Sequence, residues 1–549
     1  MNSPEEAGSK MRVRVYSLLV FCIASIGLCR AQETPRIVKT DGGARLLVDG
    51  KSFLIRGGEL GNSSAGTAAQ ADAILPKVAK LHVNTVLMPV AWEQTEPTEG
   101  SFDFSILDHW IETAREYHLH LVLLWFGSWK NGYSEYAPSW VKRDTHRFPR
   151  AIAVDGTETE ILSTLGTETL KADTRAFAAL MAHVKQKDTA QHTVLMVQVE
   201  NEVGFLGRGR DRSAEANQLF ACHVPDELVQ GLRTRRDTLS PELRSHFEAK
   251  GGTWSEVFGD AADEVFMAWH YARFIGQVAA VGKQAYDLPM YLNAQLPAPQ
   301  ERAGEYPSGG PHPYYQDVYR VGAPAIDFYA PDIYWPDFAY WVGRYAAEGN
   351  PVFVPEARMD AAPFNALYAY GQAGAFGFSP FDIDGLQPSA EKAPAMAQTF
   401  GAVEDLEEML IPGQAAGKTR GIVLHADSPR PTQTIALGGY LMEATLARTW
   451  PSRTLEAQDG AMLVIQTGAD EFYITGRGLT VNFSRDTDVD SKLAGIASIE
   501  RMKKIDGAWV AVERMNGDQS NQGRQLLMDA NDVGIFRVKL YAVERISMR

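Results

Sequence analysis

Cysteine is nearly absent: the chain has three in 549 residues. Cys22 and Cys29 fall in an apolar leader, which leaves Cys222 alone in the rest of the chain and excludes an intrachain disulfide there. No His/Cys cluster has the spacing of a zinc site, and no glycine loop of the phosphate-cradling kind is found. Metal and nucleotide chemistry drop out on that basis, and no metal or other cofactor is expected. Basic residues are outnumbered, 53 Lys and Arg against 68 Asp and Glu, for a formal net charge of −15. That balance argues against a nucleic-acid backbone or an anionic membrane surface as the main partner.

Long apolar runs are missing as well. The run Leu18 to Ala24 is too short for a comfortable membrane span. Lys10, Arg12 and Arg14 precede it, and Cys29-Arg30-Ala31 offers small residues at the cleavage positions, so residues 1–31 read as a signal peptide, with Met11 as an alternative start. The expected location is periplasmic or secreted, without membrane attachment once the signal is removed; a retained anchor is the alternative. An exported protein without disulfides is held by its core, which a chain of this length can supply.

What is present is a rhythm of short apolar strands and helical segments. The order begins with a hairpin around Leu46 to Lys51, a first core strand Phe53 to Gly58, a helix over Ala71 to Leu81 and a strand Thr85 to Val90. A helix Phe104 to Tyr117 and a strand Leu119 to Phe126 follow. Further on come helices near 174–187, 264–286, 338–347 and 364–372, with strands near 194–204, 290–293, 326–334, 352–356 and 375–378. About eight strands with helices between them predict an α/β fold, a (β/α)8 TIM barrel over residues 40–410. A doubly wound open sheet is the competitor, and it lacks the glycine fingerprint after the first strand. From about Gly413 short strands alternate with Gly, Asp and Asn turns, which predicts an all-β sandwich over 411–549. Such a domain either binds carbohydrate or braces the barrel, and the lack of a clear aromatic platform in it favours bracing.

Two long inserts, Gly127 to Asp173 and Phe205 to Ala262, follow strand C-termini, the rim where barrel enzymes carry their substrate loops. Trp129, Tyr133, Tyr136 and Trp140 in the first insert either wall a cleft or pack the loop onto the barrel. The fourth strand has Leu195, Val197 and Val199 at one parity and Gln198, Glu200 and Glu202 at the other. Its polar face would then line the barrel mouth. Glu202 ends this strand and Glu356 ends the seventh, and two facing carboxylates are what glycosidic cleavage needs. The field of the ionised one would raise the pKa of the other until it can donate a proton. Glu200 would point inward one layer deeper, where an unpaired ion is costly, so a structural ion pair with Arg56 or Arg358 is expected. Tyr334 either donates a hydrogen bond to the nucleophile or sits as a rim tyrosine in water, and Asn201 either holds a sugar hydroxyl or forms a turn.

Two motifs carry a resemblance. Pro89-Val90-Ala91-Trp92-Glu93-Gln94-Thr95-Glu96-Pro97, followed by Gly100-Ser101-Phe102-Asp103-Phe104, and Gln198-Val199-Glu200-Asn201-Glu202-Val203-Gly204 together resemble glycoside hydrolase family 35, the β-galactosidases, in its bacterial branch with a C-terminal β-domain. The resemblance implies Glu202 as acid/base, Glu356 as nucleophile, Asn201 as a contact to the sugar 2-hydroxyl and Tyr334 as the tyrosine beside the nucleophile. It implies Trp92, Glu93, Trp125 and Phe378 as galactose-cradling residues. One departure is the first-strand motif, Arg56-Gly57-Gly58-Glu59, which lacks the family's Ser-Ile-His-Tyr run. The implied activity is a retaining exo-β-galactosidase on a small carbohydrate, with xyloglucan-derived oligosaccharides as candidates. The alternatives are another retaining β-glycosidase on the same barrel and a catalytically inactive carbohydrate-binding protein.

Overall fold

The computed structural model describes residues 33–40, 43–298, 300–386, 394–427, 431–449, 452, 454–486 and 492–544. The signal peptide expected over 1–31 lies outside the described residues. No helix among them is long and apolar enough to cross a membrane.

The parallel strands are β1 (Ile55–Glu59), β2 (Thr85–Ala91), β3 (His120–Lys130), β4 (Val194–Asn201), β5 (Met290–Gln295), β6 (Phe328–Ile333), β7 (Phe353–Val354 with Glu356–Ala357) and β8 (Gly377–Phe378). The helices that follow them are α1 (Ala68–Val78), α2 (Ser105–Glu116), α3 (Thr167–Asp188), α4 (Ala262–Ala285), α5 (Gln316–Gly322), α6 (Phe338–Tyr345), α7 (Ala362–Gly371) and α8 (Ala395–Ala415). Pro355 divides β7 in two. Phe353 and Val354 pair with β8, while Glu356 and Ala357 pair with β6. Because the two segments are one strand, they close the sheet into an eight-stranded barrel. Proline has no N–H for the ladder, so the strand breaks there and Glu356 starts its new pairing at the rim.

The strands are buried on both faces, as continuous apolar runs require. Ile55, Leu87, Val122, Leu124, Phe328 and Phe353 fill the barrel interior, and Leu46 and Val48 of the N-terminal sheet (36–40, 43–48, 51–53) join the same cluster. On the outside, α2 buries Leu107, Trp110, Ile111 and Ala114, an i, i+3, i+4, i+7 stripe. The helix expected from 174 starts at Thr167. Two elements lack a strong sequence signal: α5 is a single short helix in a long segment after β5, and α8 runs on to Ala415, past residue 410.

The C-terminal region is an all-β sandwich, as expected. Its strands are β9 (Thr419–His425), β10 (Thr432–Leu437), β11 (Tyr440–Leu446), β12 (Asp459–Gln466), β13 (Glu471–Arg477), β14 (Leu479–Arg485), β15 (Lys492–Ile505), β16 (Ala508–Arg514), β17 (Gln525–Leu527) and β18 (Gly534–Glu544). They form two antiparallel sheets, β9-β12-β13-β18-β15-β16 and β10-β11-β14-β17. Tyr440, Met442, Val464, Ile474, Val481 and Phe536 fill the space between them. The sequence reading did not resolve β10, β11, β15 and β17, because edge and solvent-facing strands such as β10 alternate exposed and half-buried residues without an apolar run.

The sandwich and the barrel share a core. Val423, Ala461, Leu463 and Ile465 pack in the same cluster as the barrel helices. A Cβ at Gly371 in α7 would lie 2.4 Å from the carbonyl oxygen of Arg420, so backbone meets backbone there. Only glycine permits that approach. Arg56 ties the first strand to the last helix: it is buried, its Nε donates to the carbonyl of His82 at 2.9 Å, and its guanidinium pairs with Glu404 and Glu407 of α8. Arg56→Met should lower unfolding free energy by about 2 kcal/mol, because two half-exposed carboxylates lose their counter-ion. Urea denaturation would check this, and an unchanged midpoint would show that the pair contributes nothing.

Candidate active site

β4 does not keep its pleat to the end. Glu200 and Glu202 both adopt left-handed backbone conformations, φ 60° and 44°, and Gly204 follows at φ 148°. Two buried non-glycine residues in this region signal local strain, which accumulates at working sites. The kink separates two carboxylates that strict alternation would have placed alike. Glu200 does not line the cavity. Its Oε2 accepts a hydrogen bond from the Trp129 backbone N–H at 2.8 Å, and its other partner is Asp173 of α3. Asp173 in turn accepts from the Trp125 indole at 3.0 Å and from Ser128. Burial raises the pKa of both carboxyls, and the charge of Asp173 adds to the rise at Glu200, so Glu200 keeps its proton and donates it in a hydrogen bond to Asp173.

Glu202 takes the other route, to the rim. Its backbone N–H donates to Asn293 Oδ1 at 2.9 Å, and Asn293 Nδ2 donates to Asp332 Oδ2 at 2.6 Å. One oxygen each from Glu202, Asp332 and Glu356 lies within 4.8 Å of the other two. The Tyr334 hydroxyl donates to Glu356 Oε1. These groups surround a cavity of about 350 Å³ that Asn62, Lys130, Gln295 and Trp335 also line. Beneath it lies Glu59, the end of β1, which is 1% exposed.

Several carboxyls buried together cannot all ionise. Burial first, then the charge of Glu356, raises Glu202 to about 7. Asp332 is pushed well up by burial and by the charges of Glu356 and Glu202, and it donates to Glu202. Glu59 is pushed well up by burial and by Glu356, and it donates to Glu356. Burial and the charge of Glu356 also hold the Tyr334 hydroxyl protonated. Lys130 is the counter-charge: its field lowers both Glu59 and Glu202. It is 7% exposed and makes no side-chain hydrogen bond or ion pair with any described residue. Glu202, Asp332 and Glu356 are also the one group among the described residues spaced to hold a cation. The shared proton and the Asn293 amide already link two of the three.

Of the residues singled out from sequence, the structure brings Glu202, Glu356 and Tyr334 around the cavity. Asn201 is buried beside them, and neither of its side-chain amide atoms has a hydrogen-bond partner among the described residues. The others lie elsewhere. Trp92 is a core residue whose indole donates to Glu96 at 2.9 Å, and Trp125 is spent on Asp173. Glu93 pairs with Lys142 at 3.1 Å, and Phe378 packs on Phe338. The ion pair expected for Glu200 is corrected: Arg56 is bound to α8, and Arg358 is exposed and paired with Asp360 at 2.6 Å. The physical reason is the kink at Glu200, which aims its side chain at the helix layer and satisfies it with a shared proton. Glu59, Lys130, Asn293, Asp332 and Trp335 were missed. Asp332, Asn293 and Glu59 all sit near strand C-termini, and that position was the available signal.

Residues 64–253 match the family model of glycoside hydrolase family 42, described as β-galactosidase. Residues 396–527 match a domain of unknown function, DUF5597. Each match covers less than half of the chain. No curated protein matches. Among solved structures, a β-mannanase from the blue mussel Mytilus edulis aligns at 10% identity over 68% of this chain and 97% of its own, with a TM-score of 0.41. A β-galactosidase from the Antarctic haloarchaeon Halorubrum lacusprofundi aligns at 16% identity over 64% of this chain and 58% of its own, also at 0.41. The catalytic domain of a β-amylase from Paenibacillus polymyxa aligns at 12% identity over 64% and 98%, at 0.43.

The barrel and the family match define a glycoside hydrolase of the TIM-barrel kind. The family model that matches residues 64–253 is family 42 and not family 35, and both are β-galactosidase families. Both motifs that carried the family-35 resemblance lie within those residues. They report the strand ends that the chemistry uses, which unrelated specificities on this barrel can share.

The Glu200 assignment has a direct check. Glu200→Gln keeps a donor for Asp173 and an acceptor for the Trp129 N–H, so its unfolding free energy should stay within about 1 kcal/mol of the parent. Glu200→Ala strands both partners and should cost about 2–4 kcal/mol by chemical denaturation. Equal losses for the two variants would show that Glu200 is ionised and that its charge matters.

Proposed function

We propose that the protein is a retaining exo-β-galactosidase that removes terminal β-D-galactosyl residues from oligosaccharides, xyloglucan fragments among them. The observation that supports the reading is that Glu202 and Glu356 line one cavity at the barrel rim with an oxygen of each no more than 4.8 Å apart. Retaining enzymes need about 5 Å, because the second carboxylate attacks carbon directly, whereas inverting enzymes leave about 6.5–9.5 Å for a water. The family model over residues 64–253 supports the choice of galactose. The basic residues and apolar run near the N-terminus support export to the periplasm or the medium.

In this mechanism Glu356 attacks the anomeric carbon and forms the glycosyl ester, while Glu202 gives its proton to the departing oxygen. Glu202, now a base, takes a proton from water, which attacks the same carbon and releases Glu356. Tyr334 and Glu59 donate to Glu356 and position its carboxyl. Asp332 and Asn293 fix Glu202, one by a proton and one through the backbone. Asn201, with its amide unpartnered among the described residues, is the donor and acceptor for a sugar hydroxyl.

Glu356→Ala should lose nearly all turnover of an activated aryl β-galactoside, and azide should restore it with an inverted glycosyl azide as product. Glu202→Gln should lose more than about 10³-fold on an oligosaccharide and far less on the activated substrate, which needs no acid. A wild-type enzyme that releases α-galactose as first product would overturn the double displacement, and turnover confined to another glycone in a nitrophenyl glycoside panel would overturn the specificity.

The acid must carry its proton, so kcat/KM should fall as pH rises through about 7, the value for Glu202. Lys130 acts on that limb together with Glu59, Asp332, Glu356 and Tyr334. Removing its charge by Lys130→Met raises the pKa of Glu202, so the alkaline limb should move to higher pH. A profile that drops in height without moving would assign Lys130 to packing alone.

A further inference from the structure

Lys130-Asn131-Gly132-Tyr133 is a two-residue hairpin turn. Asn131 and Gly132 both have positive φ, 51° and 72°, the Asn-Gly pattern that such turns favour. Lys130 and Tyr133 exchange both backbone hydrogen bonds, at 2.7 and 2.9 Å. The turn is locked to the catalytic loop. The Asn131 N–H donates to the Asn201 carbonyl at 3.2 Å, and a Cβ on Gly132 would press on the Gly204 carbonyl at 3.1 Å.

Residues directly opposite each other in an antiparallel pair carry their side chains on the same face. Lys130 and Tyr133 form such a pair. Lys130 and Asn131 line the catalytic cavity while Tyr133, on the Lys130 face of the same turn, lines the neighbouring groove, so the turn is the ridge between the two. The ring is 51% exposed and makes no ring contact or side-chain hydrogen bond with any described residue. A rigidly mounted, solvent-facing aromatic is a poor core residue and a good platform for the apolar face of a sugar.

Behind Tyr133 the first insert forms a groove of about 690 Å³. Its two cations are occupied: Lys142 pairs with Glu93, and the Arg150 guanidinium donates to the carbonyls of Phe148 and Lys142. Glu135, Glu158 and Glu160 line it without a hydrogen bond or ion pair among the described residues. Free acceptors suit sugar hydroxyls, which donate, and they repel an acidic saccharide.

We propose that Tyr133 is the stacking platform of a leaving-group subsite and that the groove beyond it receives the rest of a neutral oligosaccharide. The proposal rests on the glycosidase reading above and adds where the leaving saccharide lies. It commits the enzyme to oligosaccharides whose second unit presents a pyranose face, in preference to small or acidic aglycones.

The test compares two substrates that share a glycone, a β-glycosyl fluoride and a neutral oligosaccharide, in the full-length wild type, Tyr133→Ala and Tyr133→Phe. The ratio of kcat/KM for oligosaccharide over fluoride should fall about 10-fold in Tyr133→Ala, the loss of one stacking contact, and should be kept in Tyr133→Phe. A ratio unchanged in Tyr133→Ala overturns the subsite, as does an equal fall in Tyr133→Phe, which would trace the effect to the hydroxyl. The glycone is whichever sugar the wild type cleaves. A failure of galactose specificity therefore shows in the wild type, and a failure of the subsite shows only in the ratio.

Discussion

Four carboxyl groups, Glu59, Glu202, Asp332 and Glu356, are buried around one cavity, and their mutual repulsion is the constraint that the rest of the site answers. The answer is mostly protonic. Glu59 and Asp332 keep their protons and become donors, so each neutral acid braces one of the two facing carboxyls. Lys130 supplies the single positive charge, and the Tyr334 hydroxyl supplies another donor. A low-dielectric pocket amplifies every one of these terms. The same repulsion that makes the cluster costly to bury is what places Glu202 near neutrality.

The framework below the rim uses the same device. Glu200 and Asp173 share a proton where an ion pair with arginine was the simpler expectation. A shared proton needs no cation in the helix layer and leaves Arg56 free to bind α8. That bond joins the first strand of the barrel to its last helix, and the sandwich packs against α7 and that same helix. Barrel closure is therefore supported from outside as well as by pairing across Pro355, the residue that also positions Glu356.

The inserts give the barrel a mouth of definite shape. Trp129 is fully buried against Tyr271 and Phe274, and Trp140 packs on Trp92 and Phe148. These aromatics anchor the first insert. Tyr133 alone among the four singled out remains largely exposed, and it does so because an Asn-Gly turn holds it on the ridge between cavity and groove.

The sequence by itself determined the barrel, the sandwich after it and the two facing glutamates, because apolar periodicity and strand order are local and a strand's C-terminal end always reaches the rim. It did not determine which side chains meet there. Glu93, Trp92, Trp125 and Phe378 sit close to strand ends yet face helices or insert, since a strand end fixes height in the barrel and not direction. The different paths of Glu200 and Glu202 were decided by two left-handed residues, a conformation that no alternation pattern encodes. Glu59, Lys130, Asn293 and Asp332 come from four strands and act only through one another. Their coupling exists only once closure has brought them within reach of the same few ångströms.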